Sequence, residues 1–252
     1  IIGGYYGSSI RRWKIEDGQQ EGPPMFGNGS IYSVVVAQDG WWIVTGDRAG
    51  NVTIWNAATH EKVCELTEHS SSVFGVDISS NSTKIATADH QNAQIFSFSS
   101  GIRLLPPLRH ILVNGVRFSP DSNRFATVLH NEGFRVYSTH NGDVLFNSGQ
   151  NGSVSSSLVA PLAWSSDGQQ LFVVNKGKIT HLDLSKSLAS EWSIHDNQHR
   201  ISIAFNDRFI ACAAGSSVSL WDCVSCKKIS AIITHTAEVK CIAFSPSGQY
   251  LA

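Results

Sequence analysis

The chain has 252 residues, 42% of them hydrophobic, enough to bury the core of one large all-β domain or two smaller domains. Charged residues make up only 15%, and 19 basic against 20 acidic side chains leave a net charge of −1, which excludes attraction to nucleic acid or an anionic membrane through bulk charge. No apolar run approaches the roughly 20 residues of a membrane-spanning helix, and the opening IIGGYYGSSIRRW lacks the charged-then-apolar order of a signal peptide, so a soluble protein of the cytoplasm or nucleus is expected.

In chain order, the first elements surround SSIRRWK, whose large apolar anchor is Trp13. SIYSVVVAQDG then opens the clearest complete unit, with strands expected at 31–36, 41–46, 51–55 and 61–66 and an anchor at Trp55 in NVTIWN. VFGVDISSNST leads to NAQIFS with Phe96, VNGVRFSPDSN to GFRVYS with Tyr137, APLAWSSDG to ITHLDL with Leu182, and RISIAFNDR to SVSLWD with Trp221. VKCIAFSPSG begins one more copy near the C-terminus. The anchors fall 42, 41, 41, 45 and 39 residues apart. Each copy reads as alternating strands closed by Asp, Asn, Gly or Pro turns, and no segment carries a convincing helical period. One such sheet of about 40 residues cannot bury both of its faces; copies stacked around an axis bury them against each other, which is the logic of a propeller.

FSPSGQYLA, FSPDSNRFAT, LWDCVSCKK and ITHTAEVKCIAFSP resemble WD40 repeats, and the resemblance covers the whole chain. It implies an all-β fold, a propeller of four-stranded antiparallel blades. The chain divides into a partial blade at 1–26, full blades at 27–68, 69–109, 110–150, 151–194 and 195–234, and a partial blade at 235–252. Joined head to tail, the ends read as one blade, so six blade-equivalents are expected, either closed on themselves or excerpted from a longer, seven-bladed chain. The degenerate copies, with HTAEVKCIAFSPSGQYLA and GPPM after a strand, are similar to large fungal WD40-repeat proteins, some of which join the propeller to a nucleotide-binding switch domain.

Only Trp221-Asp222 keeps the literal Trp-Asp pair. The buried His–Ser/Thr–Asp–Trp network of such blades is expected to be most complete in the fourth copy, with His110, Thr127, Asn131 in the Asp position and Tyr137 in the Trp position. Counting back from the anchors puts Ala49 and Gly215 where the second and sixth copies should have the Asp.

Other chemistry lacks support. His69, His110, His195 and His235 recur near the repeat length, as fold residues do, whereas metal ligands must converge on one point. Five cysteines form no regular disulfide framework, which fits a reducing compartment. Cys223-Val-Ser-Cys226 has redox or zinc spacing but stands alone in a hairpin, so it is read as turn variation. The sequons at Asn28, Asn51, Asn81 and Asn151 are ordinary turn chemistry. IIGGYYG resembles the paired glycines of kelch repeats but occurs once. Neither a nucleophile elbow, a phosphate-binding loop nor a zincin motif is present, and Asp47, Asp77 and Asp89 lack the periodicity of a shared catalytic set. No enzyme, cofactor or metal site is expected.

The family commonly binds partners on the rim formed by the turns between second and third strands. Equivalent positions there read Tyr6, Arg48, His90, His130 and Lys176, an aromatic and cationic set suited to an acidic or phosphorylated peptide. Trp41-Trp42 is a second candidate contact, with alternation sending one ring inward and one outward. A non-catalytic scaffold for proteins or peptides is therefore expected, with a ligand- or carbohydrate-binding propeller, or the sensor part of a larger protein, as the alternatives.

Overall fold

The computed structural model of the chain describes residues 2–4, 7–14, 16–109, 113–129, 133–149, 162–175, 178–193, 201–206, 208–225, 227–229, 233–239, 242–244 and 251. Every regular element among them is a β-strand. The first sheet orders β1 (Ile2–Gly4), β2 (Ser9–Arg12) and β3 (Met25–Phe26). The second orders β4 (Ile31–Val36), β5 (Trp42–Asp47), β6 (Val52–Asn56) and β7 (Lys62–Leu66). The third holds β8 (Val73–Ile78), β9 (Lys84–Asp89), β10 (Asn92–Ser97) and β11 (Leu108–Arg109); the fourth holds β12 (Val113–Phe118), β13 (Arg124–Leu129), β14 (Gly133–Ser138) and β15 (Val144–Asn147). The fifth holds β16 (Leu162–Trp164), β17 (Gln170–Asn175), β18 (Lys178–Asp183) and β19 (Leu188–Ser193). In the sixth, β20 (Ile201–Phe205), β21 (Phe209–Ala214) and β22 (Ser217–Asp222) are followed by two short pieces, β23 (Lys227–Lys228) and β24 (Ile233–Thr234), that both pair with β22.

All pairings are between antiparallel neighbours, so each sheet is a meander, and the four-stranded ones recur at the repeat length. In the second sheet three strands begin one residue later than expected. The turns hold their last residues: the Trp41 N–H donates to the Asp39 carboxylate (2.9 Å) and the Asn51 N–H to that of Asp47 (2.9 Å). The turn between first and second strands repeats in four sheets, closed by N–H bonds from Gly40, Ser82, Ser122 and Gly168 to the carbonyls of Ala37, Ser79, Ser119 and Ser165. These four donors all have positive φ, which explains why small turn residues recur there. In three of the turns a Ser hydroxyl donates to the Asx two residues on, Ser79 to Asn81, Ser119 to Asp121 and Ser165 to Asp167.

Alternation along each strand sends successive side chains to opposite neighbours. In the second sheet Ile43 and Trp55 pack back against Ile10 and Met25 of the first, while Val44 and Ile54 pack forward against Val76, Ile85 and Phe96 of the third. The same exchange joins the third sheet to the fourth, the fourth to the fifth and the fifth to the sixth. The repeat anchors Trp55, Phe96, Tyr137, Leu182 and Trp221 are all buried, each facing the preceding sheet. On the far side of the sixth sheet Ile242, with Val239, Phe244 and Leu251, covers Ala211, Ala213 and Val218.

The first strands of neighbouring sheets come closest. A bulge recurs in their pairing with the second strands, between Ile31 and Ser33, Val73 and Gly75, and Val113 and Gly115. A methyl group on Gly75 would lie 2.9 Å from the Gly115 Cα and 3.0 Å from the Val116 nitrogen, both backbone atoms that cannot step aside. Gly75→Ala is expected to cost about 1–3 kcal/mol through this overpacking, read as a lower urea midpoint at unchanged slope.

Candidate functional site

The turns between second and third strands share one end of the stack with the segments that lead from one sheet into the next. In the second sheet, Asp47 closes that turn, its Oδ1 accepting the N–H groups of Ala49 (2.8 Å) and Asn51 (2.9 Å). In the third, Asp89 does the same for Gln91 (2.7 Å) and Asn92 (2.6 Å). Arg48 and His90 each follow their Asp and are exposed.

Residues 71 and 72 tie the two turns together. The Ser72 hydroxyl donates to the Arg48 carbonyl (2.9 Å), and the His90 N–H donates to Ser71 Oγ (3.3 Å). Arg48 is also held through its N–H to the Ser30 carbonyl (2.9 Å). Two residues beyond Ser72, Phe74 lies flat on the His90 ring, with centroids 4.3 Å apart and planes 8° apart, and on its other contact meets Tyr32 at 5.3 Å and 22°. Arg48 and His90 are therefore rim neighbours, and His90 is the exposed member of a run of three rings. Tyr6, His130 and Lys176 lie outside the described residues. Tyr32 and Phe74 were missed from sequence; their signal was an aromatic at the second residue of two successive first strands, IY and VF.

Among the described residues the buried polar network is most complete in the third sheet. His69 Nδ1 lies 2.9 Å from Asp89 Oδ2, and its Nε2 lies 2.8 Å from Thr87 Oγ1. With Nδ1–H donating to the carboxylate, Nε2 is the acceptor facing the Thr87 hydroxyl, whose single proton is shared with the Gln94 carbonyl at 3.3 Å. Burial pushes the Asp89 carboxyl up, but the His69 hydrogen bond and the two turn N–H groups outweigh it and hold the group below its ordinary range. The order Asp–His–Thr matches that of a catalytic triad, yet all three side chains are buried away from any substrate, so the arrangement braces the turn.

Strand register also corrects the alignment of the copies. Thr45 pairs with Thr53 and Thr87 with Gln94, which makes Asp47 the partner of Asp89 in the repeat, in place of Ala49. Counting back from the anchors fails because the turn of the third sheet is one residue shorter. Asp47 and Asp89 are thus periodic, as caps. In the second sheet Trp55 Nε1 donates to Thr45 Oγ1 (2.9 Å), and in the sixth Trp221 Nε1 donates to Ser219 Oγ (3.0 Å). In the fourth sheet Thr127 and Tyr137 are buried, Leu129 takes the Asp47 position by register, and His110 and Asn131 lie outside the described residues.

Elsewhere, Asp77 on β8 is buried and accepts the Phe118 N–H of β12 at 2.7 Å, a bond between sheets. Burial raises its pKa, partly offset by Arg117 and by the N–H groups of Phe118 and Ile78. Cys223 packs in the apolar layer with Cys212, whose thiol burial pushes far above its usual range, so both side chains act there as hydrophobes; Cys226 lies outside the described residues. Among the described residues no three His, Cys, Asp or Glu side chains gather to hold a metal ion, and no helix is long and apolar enough to cross a membrane. Trp41 is 62% exposed, at the end of the stack opposite the rim, while Trp42 turns inward, edge-on to Phe98 at 5.4 Å.

The sequence profile described as "WD40: WD domain, G-beta repeat" matches residues 60–97 and 226–252. Autophagy-related protein 16 of Arabidopsis thaliana is 22% identical over 185 residues, covering 70% of this chain and 35% of that protein. Apoptotic protease-activating factor 1 of Homo sapiens is 31% identical over 132 residues, covering 48% of this chain and 10% of that protein. The chain thus spans about a third of the plant relative and a tenth of the human one.

Proposed function

The chain is built of WD40 repeats folded as β-propeller blades, and from this we propose that it is a non-catalytic interaction scaffold whose rim binds acidic or phosphorylated segments of partner proteins. The observation that carries this reading is the placing of Arg48 and His90 on adjacent turns, both exposed and each held at its backbone by one of two successive serines, Arg48 by Ser72 and His90 by Ser71. Fixed turns lower the ordering cost of binding, and a guanidinium offers several donors to a carboxylate or phosphate. Tyr6, His130 and Lys176 extend the proposed rim, and the cytoplasm or nucleus is its proposed setting. A sensor role within a longer protein is the second reading, favoured by the small share of each relative that the chain covers.

Arg48→Glu/Lys176→Glu is expected to weaken capture of an acidic peptide at least tenfold while leaving the melting temperature unchanged, because Arg48 is exposed and only its backbone is bonded in the turn. Titration of the folded variant beside the wild type measures both. Unchanged affinity removes the rim reading.

A further inference from the structure

We propose that the ring run Tyr32, Phe74 and His90, with Arg48 beside it, grips an aromatic side chain flanked by acidic residues in an extended segment of a partner protein. The proposal rests on the rim reading above and names the residue that the rim selects.

Tyr32 and Phe74 stand apart from the rest of the core. Each follows a buried residue, Ile31 and Val73, that faces the interior, yet each is itself only half-buried and belongs to none of the apolar layers between sheets. In the fourth sheet the same register position is Asn114, so the fold does not demand a ring there. The two rings thus pack on each other across the sheets at the rim, outside the apolar layers of the interior. They are ordered against each other and against His90, in near-parallel geometry that extends from one sheet to the next. The stack ends in the exposed His90 ring, which can take a further ring at little conformational cost, since the members behind it are already fixed. The flanking charge decides what accompanies that ring. Among the described residues Arg48 makes no ion pair, so its charge is available to a carboxylate. An aromatic residue next to Asp or Glu meets both features at once; a basic neighbour would be repelled.

The test uses a fluorescein-labelled peptide with one Phe between two pairs of acidic residues, its Phe-to-Ala counterpart, and a labelled oligothymidine, each titrated by fluorescence polarisation. The Phe peptide is expected to bind wild type about threefold to tenfold tighter than the Ala peptide. Phe74→Leu and His90→Ala should each abolish that preference while keeping the affinity for the Ala peptide, and Arg48→Glu should weaken both peptides. His90 is exposed, so its variant tests the stack even if Phe74→Leu folds poorly. Equal binding of the two peptides by wild type, or a preference that survives both ring variants, overturns the ring proposal and leaves the rim reading standing. Arg48→Glu without effect on either peptide removes the rim reading itself. Tighter binding of the oligothymidine than of either peptide makes the rings a nucleobase platform and also overturns the proposal.

Discussion

Phe96→Ala is expected to cost about 3–5 kcal/mol, against a typical total of about 5–15 kcal/mol for a folded domain. The ring is fully buried in the layer between the second and third sheets, where it touches the set that includes Val44, Ile54 and Ile85. It also lies edge-on to His69 at 6.3 Å, so truncation opens a cavity against the buried polar network as well as against hydrocarbon. Relaxation into that space is limited because its walls are β-sheets on both sides, each fixed by its own ladder. Urea unfolding of the variant should show a midpoint lowered by a large fraction of its wild-type value. A loss below about 1 kcal/mol would mean that the anchors do not hold one sheet to the next.

Asp89→Ala is expected to cost roughly 2–4 kcal/mol, because it strips the hydrogen-bond acceptor from the buried His69 and from two turn N–H groups together. Asp89→Asn separates charge from shape, and its effect depends on pH with a definite sign. The folded-state pKa of Asp89 is depressed, so the carboxylate contributes its full stabilisation above the unfolded value of about 3.9 and loses it as pH falls through the lower folded value. Wild type and Asp89→Asn should thus differ most near neutral pH and converge in acid. Other turn carboxylates with depressed values, Asp121, Asp167 and Asp222, titrate in both proteins and cancel in the difference. A gap that stays constant down to pH 3 would assign the loss to amide geometry instead of charge.

Much of the fold was legible because β-structure writes itself locally here. Alternating residues, small turn residues at positive φ, and a large apolar anchor about every 40 residues are each sufficient to mark a strand, a turn or a copy. Position within a copy was less legible. A fixed distance from the anchor does not find the Asp that caps the second–third turn: strand pairing assigns Asp47 and Asp89 to the same place, with one turn a residue shorter than the other. For the same reason the most complete described network, His69 with Thr87 and Asp89, lay in the copy whose anchor is a Phe. The choice between Trp41 and Trp42 followed the same pattern: alternation required one to be exposed, and the turn bond from Trp41 to Asp39 decided which.

Repetition, all-β class, strand order and the identity of the buried anchors follow from residue pattern, since each depends on interactions between residues near in sequence or one repeat apart. The contacts within the rim depended on tertiary structure. Repeat spacing places Arg48 and His90 on equivalent turns 42 residues apart, but it does not say that Tyr32 and Phe74, spaced likewise, lie beside them. They meet because blade packing brings successive first strands side by side, and because Ser71 and Ser72, on the segment between two sheets, bind both turns. Contacts made across sheets are set by how whole layers pack, and that information is spread over the entire chain.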